Sequence, residues 1–447
     1  MTVLLFILGV LFVAVGIAVS IALHEVGHLV PAKLFGVRVT QYMVGFGKTL
    51  FSRRKGETEY GLKAIPAGGY VSMIGMYPPA KGGDGQVRKS STGLFQQLAE
   101  DARTADAERL QPGDDNRLFY KLPVYKRVIV MLGGPFMNLV IGVVLLGIVM
   151  VGFGTAQPTT TIAQVSKCVV PASQQAETGQ TDCLPSDPEA PATAAGIRPG
   201  DTVTEFDGKP VTDWYELTRW IRDAAGQQTP IVLERGNETI STTITPILTE
   251  RPVLGADNQA VLDANGDPVM EQAGFVGMGS TTELTPQPVT EVLPAVGENL
   301  QAITGVVLNL PQRLADVAEA AFSDAPRDPN GPMSVVGVGR IAGEITAMDE
   351  IPMDARIASL IGLVGSVNLA LFVFNLIPLL PLDGGHIAGA LWEAVRRNVA
   401  KLFRRPDPGP VDIARLLPLT YAVAILMLGM GALLIYADIV KPVNIFG

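Results

Sequence analysis

Four stretches of the chain run without charge for long enough to cross a bilayer, which takes about 20 apolar residues for about 30 Å of hydrocarbon. They cover residues 3–23, 128–153, 357–382 and 416–436. Between them the pattern changes. Residues 37–74 alternate and turn repeatedly, with glycines at 45 and 47 around Phe46 and the charged string "SRRKGE" between two strand-like runs. This predicts β-hairpins with one apolar face, associated with the membrane. Residues 80–116 are polar, rich in Gly, Asp, Gln and Arg, and are expected to be loop and short helix, partly disordered. From about 159 to 280, "GIRPGDTVTEFDGKPVTDWYELTRWI" reads as turn, strand, turn and helix, and "IVLERGNETISTTITP" as a hairpin turning at Gly-Asn. Together they predict a small α/β module. Residues 286–322 are apolar at helical spacing and are expected to lie along the membrane surface.

The expected fold class is a polytopic α-helical membrane protein with four transmembrane helices, a membrane-associated β-hairpin region and one extracytoplasmic α/β domain. The expected segments are a first transmembrane helix over 1–35, the hairpin region over 36–76 and a cytoplasmic loop over 77–122. A second helix follows over 123–153, the α/β domain over 154–285 and an amphipathic connector over 286–355. A third helix over 356–384, a cytoplasmic loop over 385–415 and a fourth helix over 416–440 complete it. No Lys or Arg precedes Lys33, and the first apolar run exceeds the roughly 7–15 residues of a signal-peptide core, so it is read as a retained helix.

Charge orients these helices. The segment between the first two is dense in base (Arg53, Arg54, Lys55, Arg88, Lys89, Lys126, Arg127), and so is 396–415 (Arg396, Arg397, Lys401, Arg404, Arg405). By the positive-inside rule both face the cytoplasm, which places 154–353 outside. The composition agrees: 48% of residues are hydrophobic and 17% charged, against about 25% charged in soluble domains. A formal charge of −9 excludes the basic face of a nucleic-acid binder. Cys168 and Cys183 make neither a disulfide framework nor a CxxC metal site, but could form one bridge if their segment is extracytoplasmic.

The first apolar run is interrupted by "IALHEVGHLV" at 21–30. HExxH on a helix sets His24 and His28 one turn apart on one face, where both reach a single Zn²⁺. Glu25 lies about 100° round from His24, beside such an ion without ligating it, where a general base is needed. A catalytic zinc takes three protein ligands and leaves a position open; a structural one closes with four, often cysteine, and both cysteines here lie across the membrane. Asp383 in "NLIPLLPLDGGH" (375–386) is the candidate third ligand, at the matching membrane depth. An isolated carboxylate there costs about 2.5–3.5 kcal/mol on insertion scales, which ligation would offset. The alternatives are that Asp383 caps a helix before Gly384, and that His386 is the third ligand. Pro378 and Pro381 forbid a regular continuation of the third helix.

HEVGH at 24–28 with NLIPLLPLDGG at 375–385 resembles the paired signatures of the site-2 protease family of intramembrane zinc metalloproteases. IPAGGYVSM (65–73), GGPFMN (133–138) and the GIRPGD module resemble further stretches, and the PDZ domain, of its RseP-like bacterial group. The resemblance implies zinc held by His24, His28 and Asp383, catalysis by Glu25, and Asn375 near the substrate backbone. It implies single-pass transmembrane substrates, such as anti-sigma factors, cut in the cell membrane near its cytoplasmic face after a first extracytoplasmic cut. The chain departs from the pattern in having one PDZ-like module, an insertion around Cys168 and Cys183, and Ser72 where many relatives carry a basic residue. The competing expectation is a PDZ-bearing receptor or scaffold with a structural zinc. A metal transporter would want more intramembrane ligands than three histidines, all beside the two motifs. GGPFMN reads more simply as close helix packing, with Asn138 as an interhelical hydrogen bond.

Overall fold

The computed structural model describes residues 2–78, 110–178, 182–255, 258, 260–263, 268–323, 327–328, 331–348 and 351–443. Most of the polar stretch 80–116 lies outside them. The chain divides into two compact units, one formed by 1–153 with 287–447 and the other by 154–286.

The first unit holds α1 (Thr2–Leu34), β1 (Val39–Lys55), β2 (Thr58–Met73), α2 (Val124–Gly147), α3 (Val292–Leu308), α4 (Leu310–Phe322), α5 (Val335–Ala347), α6 (Met353–Asn375), α7 (Asp383–Leu402) and α8 (Leu417–Val440). Among the described residues four helices are long and apolar enough to cross a membrane: α1, α2 with its π-helical extension to Phe153, α6, and α8 with the turn before it. Their outward faces stay apolar, as Val3, Leu11, Val144, Ile425 and Leu428 show, the pattern of a helix bathed in lipid rather than water. α1 packs on α2, α5 and α6. Val13, Ala342, Leu360 and Val364 form one buried cluster between α1, α5 and α6.

The expected third span is corrected. α6 ends at Asn375, seven residues short of the end of the uncharged run, and a non-helical stretch of 376–382 follows. Pro378 and Pro381 lack the N–H that a continuing helix needs. The expected loop after Asp383 is instead a 20-residue helix, α7. Its N-cap is Leu382 and Asp383 is its first residue, with no side-chain capping bond. The capping alternative for Asp383 is therefore not what the structure shows. The amphipathic connector likewise resolves into α3, α4 and α5.

The hairpin region is a single hairpin folded back on itself. Residues 41–44 of β1 pair on one side with 59–62 and on the other with 69–72 of β2. Residues 49–55 pair with 58–63 beyond them. Gly45, Gly47 and Gly68 take φ of 92°, 81° and 135°, which bends the strands where side-chain-bearing residues resist. "SRR" continues the strand, and the turn falls at Gly56. The sheet is tied to α1 by the Tyr42 hydroxyl, which donates to the Ala22 carbonyl at 2.7 Å. Leu29, Val37, Val39, Met73, Phe119 and Val130 are buried together beneath it.

The second unit is an antiparallel sheet in the order β10-β3-β4-β6-β7, from β3 (Thr155–Val165), β4 (Thr202–Phe206), β6 (Thr229–Arg235), β7 (Glu238–Ile244) and β10 (Met278–Thr285). A short β5 (Lys209–Pro210) pairs with β4, and β8 (Ile247–Pro252) pairs with β9 (Met270–Phe275). The helix Trp214–Asp223 buries Leu217 and Ile221 against Phe206, Ile231 and Leu233. Asp213 caps that helix, accepting from the Glu216 N–H at 2.8 Å, a bond worth about 1 kcal/mol. Cys168 and Cys183 are joined in a disulfide.

Candidate metal centre

The HEVGH segment sits where α1 and α2 touch backbone to backbone. A Cβ added to Gly27 would lie 2.1 Å from the Gly133 carbonyl oxygen, and one added to Gly133 would lie 2.0 Å from that of Gly27. Only glycine permits this approach, so GGPFMN does pack helices. The packing also shapes the site. A Cβ on Gly134 would lie 2.2 Å from His28 Nε2 and 2.7 Å from His24 Nε2.

His24, His28 and Asp383 converge. His24 Nε2 and His28 Nε2 stand 3.2 Å apart, and each is 3.3 Å from Asp383 Oδ2. Ligands at about 2.0–2.1 Å in a tetrahedral shell are separated by about 3.3 Å, so the triangle matches the face of a zinc coordination sphere. Asp383 Oδ2 is buried and receives no hydrogen bond, an arrangement that is costly without a cation. Among the described residues these three form the cluster whose ligand atoms could hold one metal ion. His386, the rival ligand, lines the same cavity but stands outside the triangle.

Both imidazoles are oriented from behind by α2. His28 Nδ1 donates to the Val130 carbonyl at 2.8 Å. A carbonyl can only accept, so the proton is on Nδ1 and the Nε2 lone pair is free for a metal. Asn138 lies 3.2 Å from His24 Nδ1 through its side-chain amide. The amide nitrogen is the atom that faces His24, with Asn138 Oδ1 buried and unbonded among the described residues; only the amide turned over, oxygen toward Nδ1, holds His24 in the same tautomer as His28. Asn138 is thus the interhelical hydrogen bond expected from the sequence, with a metal-ligand candidate as its partner. The Val130 carbonyl had no sequence signal, because a backbone acceptor has none.

Glu25 is buried beside the triangle and packs against Gly69 of β2, where an added Cβ would come within 2.8 Å of its Cγ. The second glycine of "AGGY" thus clears room for this carboxylate. A cavity of about 280 Å³ opens in front, lined by Glu25, Gly69, Tyr70, Val71, Asn375 and Asp383 among others. The side chains present are two imidazoles and one carboxylate at the triangle, with a second carboxylate beside it. That donor set suits zinc with one position left for a reacting water.

Gly134→Ala is expected to leave the helices formed but push the imidazoles apart. Zinc measured in the purified protein should fall at least tenfold, in the range that displaced ligand supports cost. Full zinc occupancy in this variant would show that the Gly134 contact does not govern the site.

Comparison with known proteins matches residues 12–405 to the model for peptidase family M50. The chain is 32% identical over 446 residues to zinc metalloprotease Rip1 of Mycobacterium tuberculosis (strain H37Rv), covering 99% of this chain and 100% of that protein. It is 31% identical to zinc metalloprotease Rip1 of Mycolicibacterium smegmatis over 99% of this chain and all of that one. Metalloprotease MmpA of Caulobacter vibrioides is 25% identical over 88% of each chain. With that family model spanning most of its length and relatives matching it end to end, the chain belongs to peptidase family M50, the site-2 protease family, and is a multi-pass membrane zinc metalloprotease.

Proposed function

We propose that the protein is an endopeptidase that cuts single-pass transmembrane proteins within the cell membrane, close to its cytoplasmic face. His24, His28 and Asp383 are its zinc ligands, Glu25 its general base and Asn375 a contact for the substrate backbone. The observation that carries this reading is the 3.2–3.3 Å triangle of two imidazole nitrogens and one carboxylate oxygen, with Glu25 at its side.

Zinc, when bound, supplies a Lewis acid that lowers the pKa of water toward neutrality and polarises the scissile carbonyl. Glu25 takes the proton of the attacking water and delivers it to the leaving amide nitrogen. The Val130 carbonyl keeps His28 in the tautomer that presents Nε2, and Asn138 does the same for His24 when its amide oxygen faces Nδ1. Gly69 lets β2 lie against Glu25, so a substrate on that strand passes directly over the base.

A substrate helix hides its carbonyls in i→i−4 bonds and must open before it is cut. Opened backbone in a low-dielectric setting needs new partners. Among the described residues, the strand that pairs with Gly69, Tyr70 and Val71 is β1. An extended substrate is expected to add to the side of these residues away from β1 by β-augmentation, while Asn375, the last residue of α6, hydrogen-bonds its other side.

We place the 154–286 unit outside the cytoplasm as a PDZ-like domain; the basic segments before α2 and after α6 and the Cys168–Cys183 disulfide support this. There it acts as a size filter that admits substrates already trimmed by a first cut, anti-sigma factors being the candidate class. The test is reconstitution into vesicles with a tagged single-pass substrate and mass spectrometry of the products. The expected cut falls within the transmembrane segment, is abolished by chelation and returns with zinc. Cuts only in the soluble parts of the substrate would overturn the reading.

A further inference from the structure

Asp383 opens α7, and what aims that helix is not in the cavity. Ten residues further on, about 15 Å along the axis, Glu393 is fully buried and Arg127 of α2 is 5% exposed. The guanidinium grips the carboxylate with both Nη atoms, Nη1 at 3.0 Å from Oε2. Oε2 also accepts the Val411 N–H at 3.0 Å, and Arg397 lies 3.1 Å from Oε1. Neither Arg127 nor Glu393 lines the cavity.

A buried ion pair is a poor source of stability, since well-packed apolar side chains of similar size commonly do as well or better. Its bidentate geometry fixes direction instead. Arg127 stands on the face of α2 that carries Val130, Gly134 and Asn138, all within an arc of about 80° at 100° per residue. Val130 holds His28, Asn138 holds His24, and Gly134 gives both imidazoles their space. One face of one helix thus supports all three corners of the triangle, the third at a distance. The N-terminal end of α7 is pinned as well as its middle: a Cβ on Gly384 would lie 2.3 Å from the Ile377 carbonyl oxygen. Two fixed points set the axis and rotation of α7, and with them the reach of Asp383.

We infer that Arg127 and Glu393 are positioning residues for the metal centre, acting through α7 to hold Asp383 against the two histidines. This rests on His24, His28 and Asp383 being the zinc ligands. The test uses the full-length protein in detergent and two variants. Arg127→Met/Glu393→Leu replaces the buried pair by apolar side chains, and Arg397, a third exposed, keeps Asp407 at 3.5 Å as its partner. Arg127→Lys keeps the charge but loses the fork. Zinc affinity is read by competition with a chelator, ligand geometry by the visible spectrum of the Co²⁺-substituted protein, and folding by thermal melting. The double variant should melt near wild type yet bind zinc about 10–100-fold more weakly, the usual loss for disturbed outer-shell support, with a shifted Co²⁺ band. Arg127→Lys should shift both readouts less, in the same direction. Wild-type affinity and spectrum in either folded variant would overturn the inference. Asp383→Asn is the control: if it too leaves affinity unchanged, the ligand assignment fails; if it alone weakens binding, only the role of the pair fails.

Discussion

Glu25→Gln is expected to leave zinc bound and cut the rate of substrate cleavage by about 10²–10⁴-fold, the usual contribution of a positioned general base. Glutamine has nearly the volume of glutamate, so the packing against Gly69 survives. It cannot take a proton from water. His24, His28 and Asp383 are untouched, so metal content should stay at the wild-type level. The two readouts therefore separate, and initial rates on a transmembrane substrate must be compared with zinc content on the same preparation. Cleavage near the wild-type rate with zinc retained would remove Glu25 from the mechanism. Loss of zinc along with activity would mean that the carboxylate helps to hold the metal.

Asp383→Ala is the second large effect. It removes one corner of the triangle and leaves two imidazoles 3.2 Å apart. If Asp383 ligates zinc as proposed, its loss should exceed the about 10–100-fold in affinity that outer-shell disturbances cost, and cleavage should fall to background. α7 should still form, because Asp383 makes no capping bond and alanine is the better helix former. Chelation followed by added zinc should restore the wild type but not the variant. A variant that keeps its zinc and its rate would show that another group, His386 being nearest in the chain, serves as third ligand.

Sequence and tertiary structure divide this protein unevenly. Four long uncharged runs determine four helices, because a lipid-facing helix needs little beyond length and an apolar surface. The spacing of His24 and His28 places them on one face, because the helical period alone does that. The end of the third span was written in Pro378 and Pro381, yet the uncharged run continued to Leu382 and masked the break at Asn375. The helix after Asp383 was hidden because "GGHIAGALWEAVRR" mixes small, apolar and charged residues, a composition that reads as loop until the helix packs on α2 and Glu393 meets Arg127 there.

What the chain determined by itself is the local chemistry: which residue types could bind a cation or move a proton, and which stretches had to leave water. What only the tertiary structure decided is convergence. Asp383 meets the histidines because α7 and α1 both pack on α2, and Val130, Asn138 and Gly69 gain their meaning only from neighbours far away in sequence. The physical reason is that periodicity and hydropathy are properties of neighbouring residues, whereas a coordination triangle with edges near 3.3 Å is fixed by close packing between helices, which no single segment encodes.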